Sequence, residues 1–456
     1  MQTGKIFGQC FVAKRACRFM LGLSMTVGAG AKMRVLFSLC VMLLSMTGLR
    51  AAHADAPDIV ARGEYLARAG DCVVCHTGPG EKPFSGGLKM ATPLGAIYTT
   101  NITPDKATGI GDDTFEDFER AMRRGTAKDG HHLYPAMPYP SYAKVSDEDL
   151  RALYAFFMQS VKPVARQNSK AEIPWPLNMR WPLAIWDVVF TPKLGYTPNA
   201  AQDAQWNRGA YLVEGFGHCG ACHTPRGIFF QEKALDETGS RYLAGADLDN
   251  WFASNLRSGQ KLGLTGWSSQ DIHDFLKTGH NMHATAFGTM IEAINNSTQY
   301  LTDDDLDAIA TYLKSLPVDE KAAKAADVAV AHAPDDSAGA KLYAQQCAYC
   351  HVNDGRGYAP FLPPLAGNPV ATDAVPSSLV NIILNGSARI VIDGMPDTYR
   401  MPQFRMQLKD QQVAELASFV RQNWGNAEKP VSAEDVAKIR KMTDPASDAV
   451  VILKMK

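Results

Sequence analysis

Three short strings constrain this chain more than anything else in it. They are Cys72-Val73-Val74-Cys75-His76, Cys219-Gly220-Ala221-Cys222-His223 and Cys347-Ala348-Tyr349-Cys350-His351. Two thiols separated by two residues, with a histidine directly after, admit a redox dithiol, a metal knuckle or covalent haem attachment. A redox C-x-x-C normally occurs once, in an α/β setting. A structural zinc site needs four ligands, and each string offers two thiols and one imidazole with no second cysteine pair. In c-type haem attachment the two thiols add across the porphyrin vinyl groups and the adjacent histidine ligates iron. Three copies select haem c. Cys72, Cys75, Cys219, Cys222, Cys347 and Cys350 are the expected thioether points, and His76, His223 and His351 the proximal ligands.

The cysteine inventory supports this once the amino terminus is set aside. Residues 1–54 carry seven basic residues and no Asp or Glu. The apolar run Val35–Leu49 follows Arg34 and precedes Ala52-His53-Ala54. This pattern reads as a secretory signal, with Met33 the better start; a retained anchor is the alternative, but the run is shorter than the ~20 residues of a span. Export across the membrane is expected. Removing residues 1–54 takes Cys10, Cys17 and Cys40 with it and leaves six of nine cysteines, all in the three strings. The same cut turns a formal charge of −1 into −8, which argues against a nucleic-acid partner.

The strings sit in repeated units. Each is preceded by a helix-like run, "ARGEYLARAGDC", "NRGAYLVEGFGHC" and "AGAKLYAQQC". Each unit closes on an amphipathic run: Leu150, Leu153, Phe156, Phe157; then Leu306, Ile309, Tyr312, Leu313; then Val413, Leu416, Phe419, Val420. That spacing puts the apolar residues on one side of a helix. Ser146 and Thr302 stand where N-caps belong. Middle helices are expected to end at Gly125, Gly279 and Gly386. Strand signals are scarce, so the expected fold is all-α, with three small domains in series: 55–171, 199–317 and 336–425, followed by a tail, 426–456. The Pro- and Trp-rich joint 172–198 reads as a linker packed across the first two domains or as a docking surface for a partner or membrane. Residues 318–335 read as a solvated connector.

An electron carrier completes the iron's coordination with methionine. The loop between middle and closing helices offers Met137, Met290 and Met401, with Met282 a rival to the second and Met395 to the third. His131, His132, His280 and His283 are the histidine alternatives. Met122 and Met158 stand at helical spacing and are expected in the core.

Together "RGEYLARAGDCVVCHT", "TTNITPDKATGIGD", "KDGHHLYPAMPYPSYAKVSDEDL", "MRWPLAIW", "GHCGACHTPRG", "NSTQYLTDDDL" and "PPLAGNP" resemble the tri-haem cytochrome c subunit of bacterial membrane-bound dehydrogenases. Gluconate 2-dehydrogenase and quinohaemoprotein alcohol dehydrogenase are of this type. The resemblance covers nearly all of residues 57–430. It implies three tandem class I cytochrome c domains with three covalently bound haem c. It also implies a large flavin- or PQQ-containing dehydrogenase subunit as partner, with a small third subunit, and electron delivery to ubiquinone at the membrane surface. The short tail favours the flavin type. No dinucleotide fingerprint and no acid–base constellation stands out, so substrate chemistry is expected on the partner. A multihaem peroxidase would need an open iron position, and a free carrier would need no fixed partner.

Overall fold

The computed structural model describes residues 58–248, 250–259, 262–317 and 336–445. The stretch expected to be a secretory signal, the expected start at Met33, the connector 318–335 and the last residues of the tail lie outside the described residues. The described residues form one compact unit built on three repetitions of an opening, a middle and a closing helix.

The opening helices are α1 (Ile59–Ala69), α5 (Ala204–Tyr211, continued by a π-helical turn, Leu212–Phe216) and α9 (Ala338–Gln346). The middle ones are α2 (Phe115–Arg124), α6 (Ser269–Thr278) and α10 (Ser377–Asn385). The closing ones are α3 (Asp147–Gln159), α8 (Asp303–Ser315) and α11 (Asp410–Gln422). Further helices are α4 (Pro182–Phe190), α7 (Met290–Asn296) and α12 (Ala433–Met442). Ser146 and Thr302 accept the N–H groups of Asp149 and Asp305, satisfying amides that the first turn leaves unpaired. Gly125, Gly279 and Gly386 end the middle helices with φ of 59°, 78° and 71°, the region glycine enters without strain.

Each opening helix crosses its closing partner at a glycine. A Cβ on Gly63 would lie 1.9 Å from the Ala152 carbonyl oxygen, one on Gly209 2.0 Å from that of Ala308, and one on Gly339 2.3 Å from that of Glu415. All twelve apolar residues of the closing runs are buried. The first two repeats share one continuous core, from Leu66 to Leu316. The third has its own, built from residues between Ala340 and Ile439. The three units expected in series thus share their buried cores unequally, the first two contributing to one and the third to another. In the stretch read as a tail, Val436 and Ile439 of α12 are buried in the third core.

The fold is helix-rich but not strictly all-α. Among the described residues there are four two-stranded antiparallel sheets: Lys89–Thr92 with Gly95–Tyr98, Ala246–Leu248 with Trp251–Ala253, Ser258–Gly259 with Leu262–Gly263, and Val391–Ile392 with Met395–Pro396. Strands of two to four residues are too short to show alternation, which is why the sequence gives no sign of them. The Pro/Trp-rich joint also holds more order than its prolines suggest. Pro182 is the first residue of α4, where its missing N–H is no loss. Among the described residues no helix is long and apolar enough to cross a membrane.

Candidate functional site

In all three copies the string between the opening helix and the next loop folds as a single helical turn: Cys72–Cys75, Gly220–His223 and Ala348–His351. Each histidine N–H donates to the carbonyl of the first cysteine, at 3.0, 2.9 and 2.9 Å for His76, His223 and His351. Each histidine carbonyl in turn accepts an N–H from a glycine in the following loop: Gly86 at 2.7 Å, Gly245 at 2.8 Å and Gly357 at 3.0 Å. The loop is thereby folded back over the string. It then supplies a backbone carbonyl to the imidazole Nδ1: Thr100 to His76 at 2.7 Å, Ser254 to His223 at 2.7 Å and Pro363 to His351 at 3.0 Å.

This contact decides the tautomer. A carbonyl only accepts, so Nδ1 carries the proton and Nε2 keeps its lone pair. Burial depresses the pKa of all three imidazoles, favouring the neutral ring that ligation requires. Burial likewise pushes the thiols of Cys72, Cys219 and Cys347 up to about 12. A reactive redox dithiol needs the opposite shift. None of the six cysteines forms a disulfide. Beside Cys219, Tyr242 Oη and Glu232 Oε2 are buried without a protein partner, both close to Gly220. Two unjoined thiols, an imidazole with Nε2 available and orphaned polar groups alongside fit covalent haem c.

The candidate methionines occupy matching positions in the first two repeats. Leu133 N–H donates to Gly125 O at 2.7 Å and Ala286 N–H to Gly279 O at 2.8 Å. Met137 and Met290 each lie four residues beyond that bond. Met137 is half-buried against the first core, in a loop fixed by Pro135, Pro138 and Pro140. Met290 opens α7 and is half-buried against a small cluster of Ala286, Ile291, Ile294 and Ile390. Met282 is exposed. In the third repeat Met401 packs on the core, its N–H held by Ser387 Oγ at 2.9 Å. Met395 stands on a two-residue strand, 74% exposed. Carboxylates stand beside the histidine alternatives: Asp129 by His131, Asp187 by His132, Asp397 by His280 and Asp271 by His283, although His280 Nε2, 2.9 Å from Asp397, is buried without a hydrogen bond. Met122 is buried in the core.

The strings are linked to one another. His218, directly before Cys219, places Nε2 3.2 Å from the Gly70 carbonyl and its ring 5.8 Å from that of Tyr142. Helix α7 packs on the Cys72–Cys75 turn. Ser254, whose carbonyl holds His223, donates from Oγ to Asp373 Oδ2 in the third repeat at 2.7 Å. Sequence reasoning missed Thr100, Ser254 and Pro363 because a backbone carbonyl leaves no mark on residue type.

Comparison with known proteins agrees with this geometry. The family described as "Cytochrome c" matches residues 60–161 and 337–424. The gluconate 2-dehydrogenase cytochrome c subunit of Pantoea cypripedii is 50% identical over 90% of this chain and 95% of its own length. The cytochrome c subunit of the quinone alcohol dehydrogenase of Gluconacetobacter polyoxogenes is 46% identical over 92% of both chains. The fructose dehydrogenase cytochrome subunit of Gluconobacter japonicus is 39% identical over 88% of this chain and 87% of its own. The chain belongs to the cytochrome c family and, within it, to the cytochrome c subunits of dehydrogenases.

Proposed function

We propose that this chain is a three-haem electron relay, taking electrons from a dehydrogenase subunit and passing them to ubiquinone at the periplasmic face of the membrane. The observation that carries the reading is the threefold recurrence of one arrangement: a C-x-x-C turn whose following histidine has Nδ1 committed to a backbone carbonyl. The middle copy repeats it although the family pattern matches only the flanking two regions.

In this reading Cys72, Cys75, Cys219, Cys222, Cys347 and Cys350 form the thioethers. Nε2 of His76, His223 and His351 and the sulfurs of Met137, Met290 and Met401 are the groups that would ligate the haem irons. Bound haem c supplies a one-electron Fe(III)/Fe(II) couple. The protein's part is to hold the neutral imidazoles in one tautomer, to bring a soft thioether that favours Fe(II), and to keep the three groups in a fixed order. The direct contacts between repeats support a relay: His218 to Gly70 joins the first two, Ser254 to Asp373 the last two.

The relatives named as cytochrome subunits of gluconate, alcohol and fructose dehydrogenases support a substrate-oxidising step on a separate dehydrogenase subunit, and we read that subunit as flavin- or PQQ-containing. A flavin-type sugar-acid dehydrogenase is preferred, with the PQQ alcohol type as the second reading. The decisive experiment is to purify the chain with its companions and add gluconate, ethanol or a polyol, with a ubiquinone analogue as acceptor. Reduction of the haem bands by substrate and their reoxidation by quinone is the expected result. Peroxide-driven turnover by the isolated chain would instead favour a peroxidase.

A further inference from the structure

Glu232 carries a carboxyl group into a place where the fold offers it no partner. It lies in the loop after the second string, across an antiparallel bridge from Arg226. Its Oε2 is shut away from solvent and bonded to no protein group. A Cβ on Gly220, inside the string, would lie 2.4 Å from that oxygen and 3.1 Å from the Tyr242 ring. The carboxyl therefore stands directly against the turn that carries Cys219 and Cys222.

Two cations lie near it, and both are committed elsewhere. Arg226 gives Nη1 to the Phe230 carbonyl at 3.0 Å and Nη2 to the Ala221 carbonyl at 2.8 Å. Lys144 gives Nζ to Glu214 Oε2 and to the Leu235 carbonyl, each at 2.7 Å, with Asp236 at 3.6 Å. Glu214 has its other oxygen occupied too, by Tyr312 Oη at 2.5 Å. Tyr242 Oη is itself buried without a partner. The Cys219 thiol is raised by burial and by Cys222, and the nearby Glu232 adds to that rise. On α4, Asp187 is turned to Tyr139 and His132.

Nothing in this setting neutralises an ionised Glu232 by direct contact. A lone buried carboxylate is costly and takes a proton instead. Burial accordingly pushes its pKa from 4.5 up to about 7, against the pull of Arg226 and Lys144.

A small, largely enclosed cavity gives a proton its way in. Glu232, Gln231 and Arg226 share its wall with Pro135 and Pro138 of the Met137 loop and Trp186 of α4. At about 20 Å³ it has room for one water, which needs ~10–15 Å³. A pocket for an organic ligand starts at ~300 Å³. The cavity suits water and is far too small for a quinone ring.

We propose that Glu232 is the proton-accepting partner of the second haem site, taking up one proton when an electron arrives there and releasing it when the electron leaves. The inference deepens the proposed relay, resting on that reading for a haem at the second string. The balance is one electron from the dehydrogenase side and one proton from solvent by way of the cavity. The proton forms an O–H bond on the carboxylate; that bond breaks, and the proton returns to solvent, as the electron moves on. An arriving electron adds negative charge beside the carboxylate and so tightens its hold on a proton.

Spectroelectrochemical titration of the full haem-loaded chain tests this. Between about pH 6 and 8 one of the three potentials should fall by about 30–60 mV, which is about threefold to tenfold tighter proton binding in the reduced state. In E232Q the side chain keeps its shape and loses its charge. That potential should then be flat and close to the low-pH value of the unaltered chain, because the amide stands in for the protonated acid. With Cys219, Cys222 and His223 replaced, no potential should show the fall. A fall that survives in E232Q, or in the chain without the middle string, overturns the assignment. Three pH-independent potentials in the unaltered chain overturn it without any variant, and leave the relay standing. Fewer than three one-electron components remove the relay reading and the assignment together.

Discussion

Tyr65 of α1 donates its hydroxyl to Asp305 Oδ2 of α8 at 2.5 Å, across the junction between the first two repeats. The reciprocal bond runs from Tyr211 to Asp149 Oδ2, also at 2.5 Å. Within each repeat the same carboxylate is held by its own arginine: Arg62 Nε to Asp149 Oδ1 at 2.7 Å, and Arg208 Nε to Asp305 Oδ1 at 2.7 Å. The shared R-G-x-Y wording thus has three functions. Arginine binds the local closing helix, glycine lets that helix approach, and tyrosine crosses to the neighbour.

Because the two tyrosine bonds span the junction, Y65F and Y211F should each lower stability by about 1.5–3 kcal/mol, the range for a bond to a charged acceptor. Removing a carboxylate strands its arginine, so D305A should cost more than Y65F. Urea denaturation of the haem-loaded chain checks both, and equal losses for the two variants would count against the crossed arrangement.

Ala at Gly63, Gly209 or Gly339 would place a methyl group against a backbone carbonyl that cannot retreat without parting the helices. Each substitution should cost about 3 kcal/mol or more. G339A should disturb chiefly the third core, since α9 packs there, whereas G63A and G209A act on the shared core. Limited proteolysis distinguishes the two patterns.

Asp373 is buried, with Ser254 Oγ bonded to its carboxyl, and desolvation raises its pKa from 3.8 to about 7. A carboxyl whose folded pKa exceeds its unfolded value binds its proton more tightly in the native chain. Its contribution is fully present below about 4 and is lost as pH climbs to about 7. D373N, permanently neutral, should flatten that decline in melting temperature between pH 4 and 7. An unchanged slope would show that Asp373 titrates normally.

Met401 and Met395 are the two candidate ligands of the proposed third site, and the structure separates them by packing: one half-buried against the third core, the other exposed. M401A should turn one of the haems high-spin, while M395A leaves the spectrum unaltered. The opposite pair of results would move the ligand to the hairpin.

The parts of this molecule that local chemistry specifies were legible in its sequence. The closing runs bury the expected side chains, the middle helices stop at the expected glycines, and Ser146 and Thr302 cap as their position suggested. What escaped depends on distant partners or on backbone groups. Tyr65 and Asp305 are 240 residues apart, so no local pattern announces their bond. Thr100, Ser254 and Pro363 act through carbonyls that any residue would possess. The fusion of the first two cores follows from how α5 and its π-helical turn pack, with Val213 and Phe216 buried in the shared core, which periodicity alone does not reveal.

The central claim is the number of haems, and it is directly countable. A pyridine haemochrome assay against protein mass should give three haems c per chain, falling to two when the cysteine pair and histidine of the middle string, Cys219, Cys222 and His223, are replaced. A count of two or fewer in the unaltered chain would contradict the three-site relay.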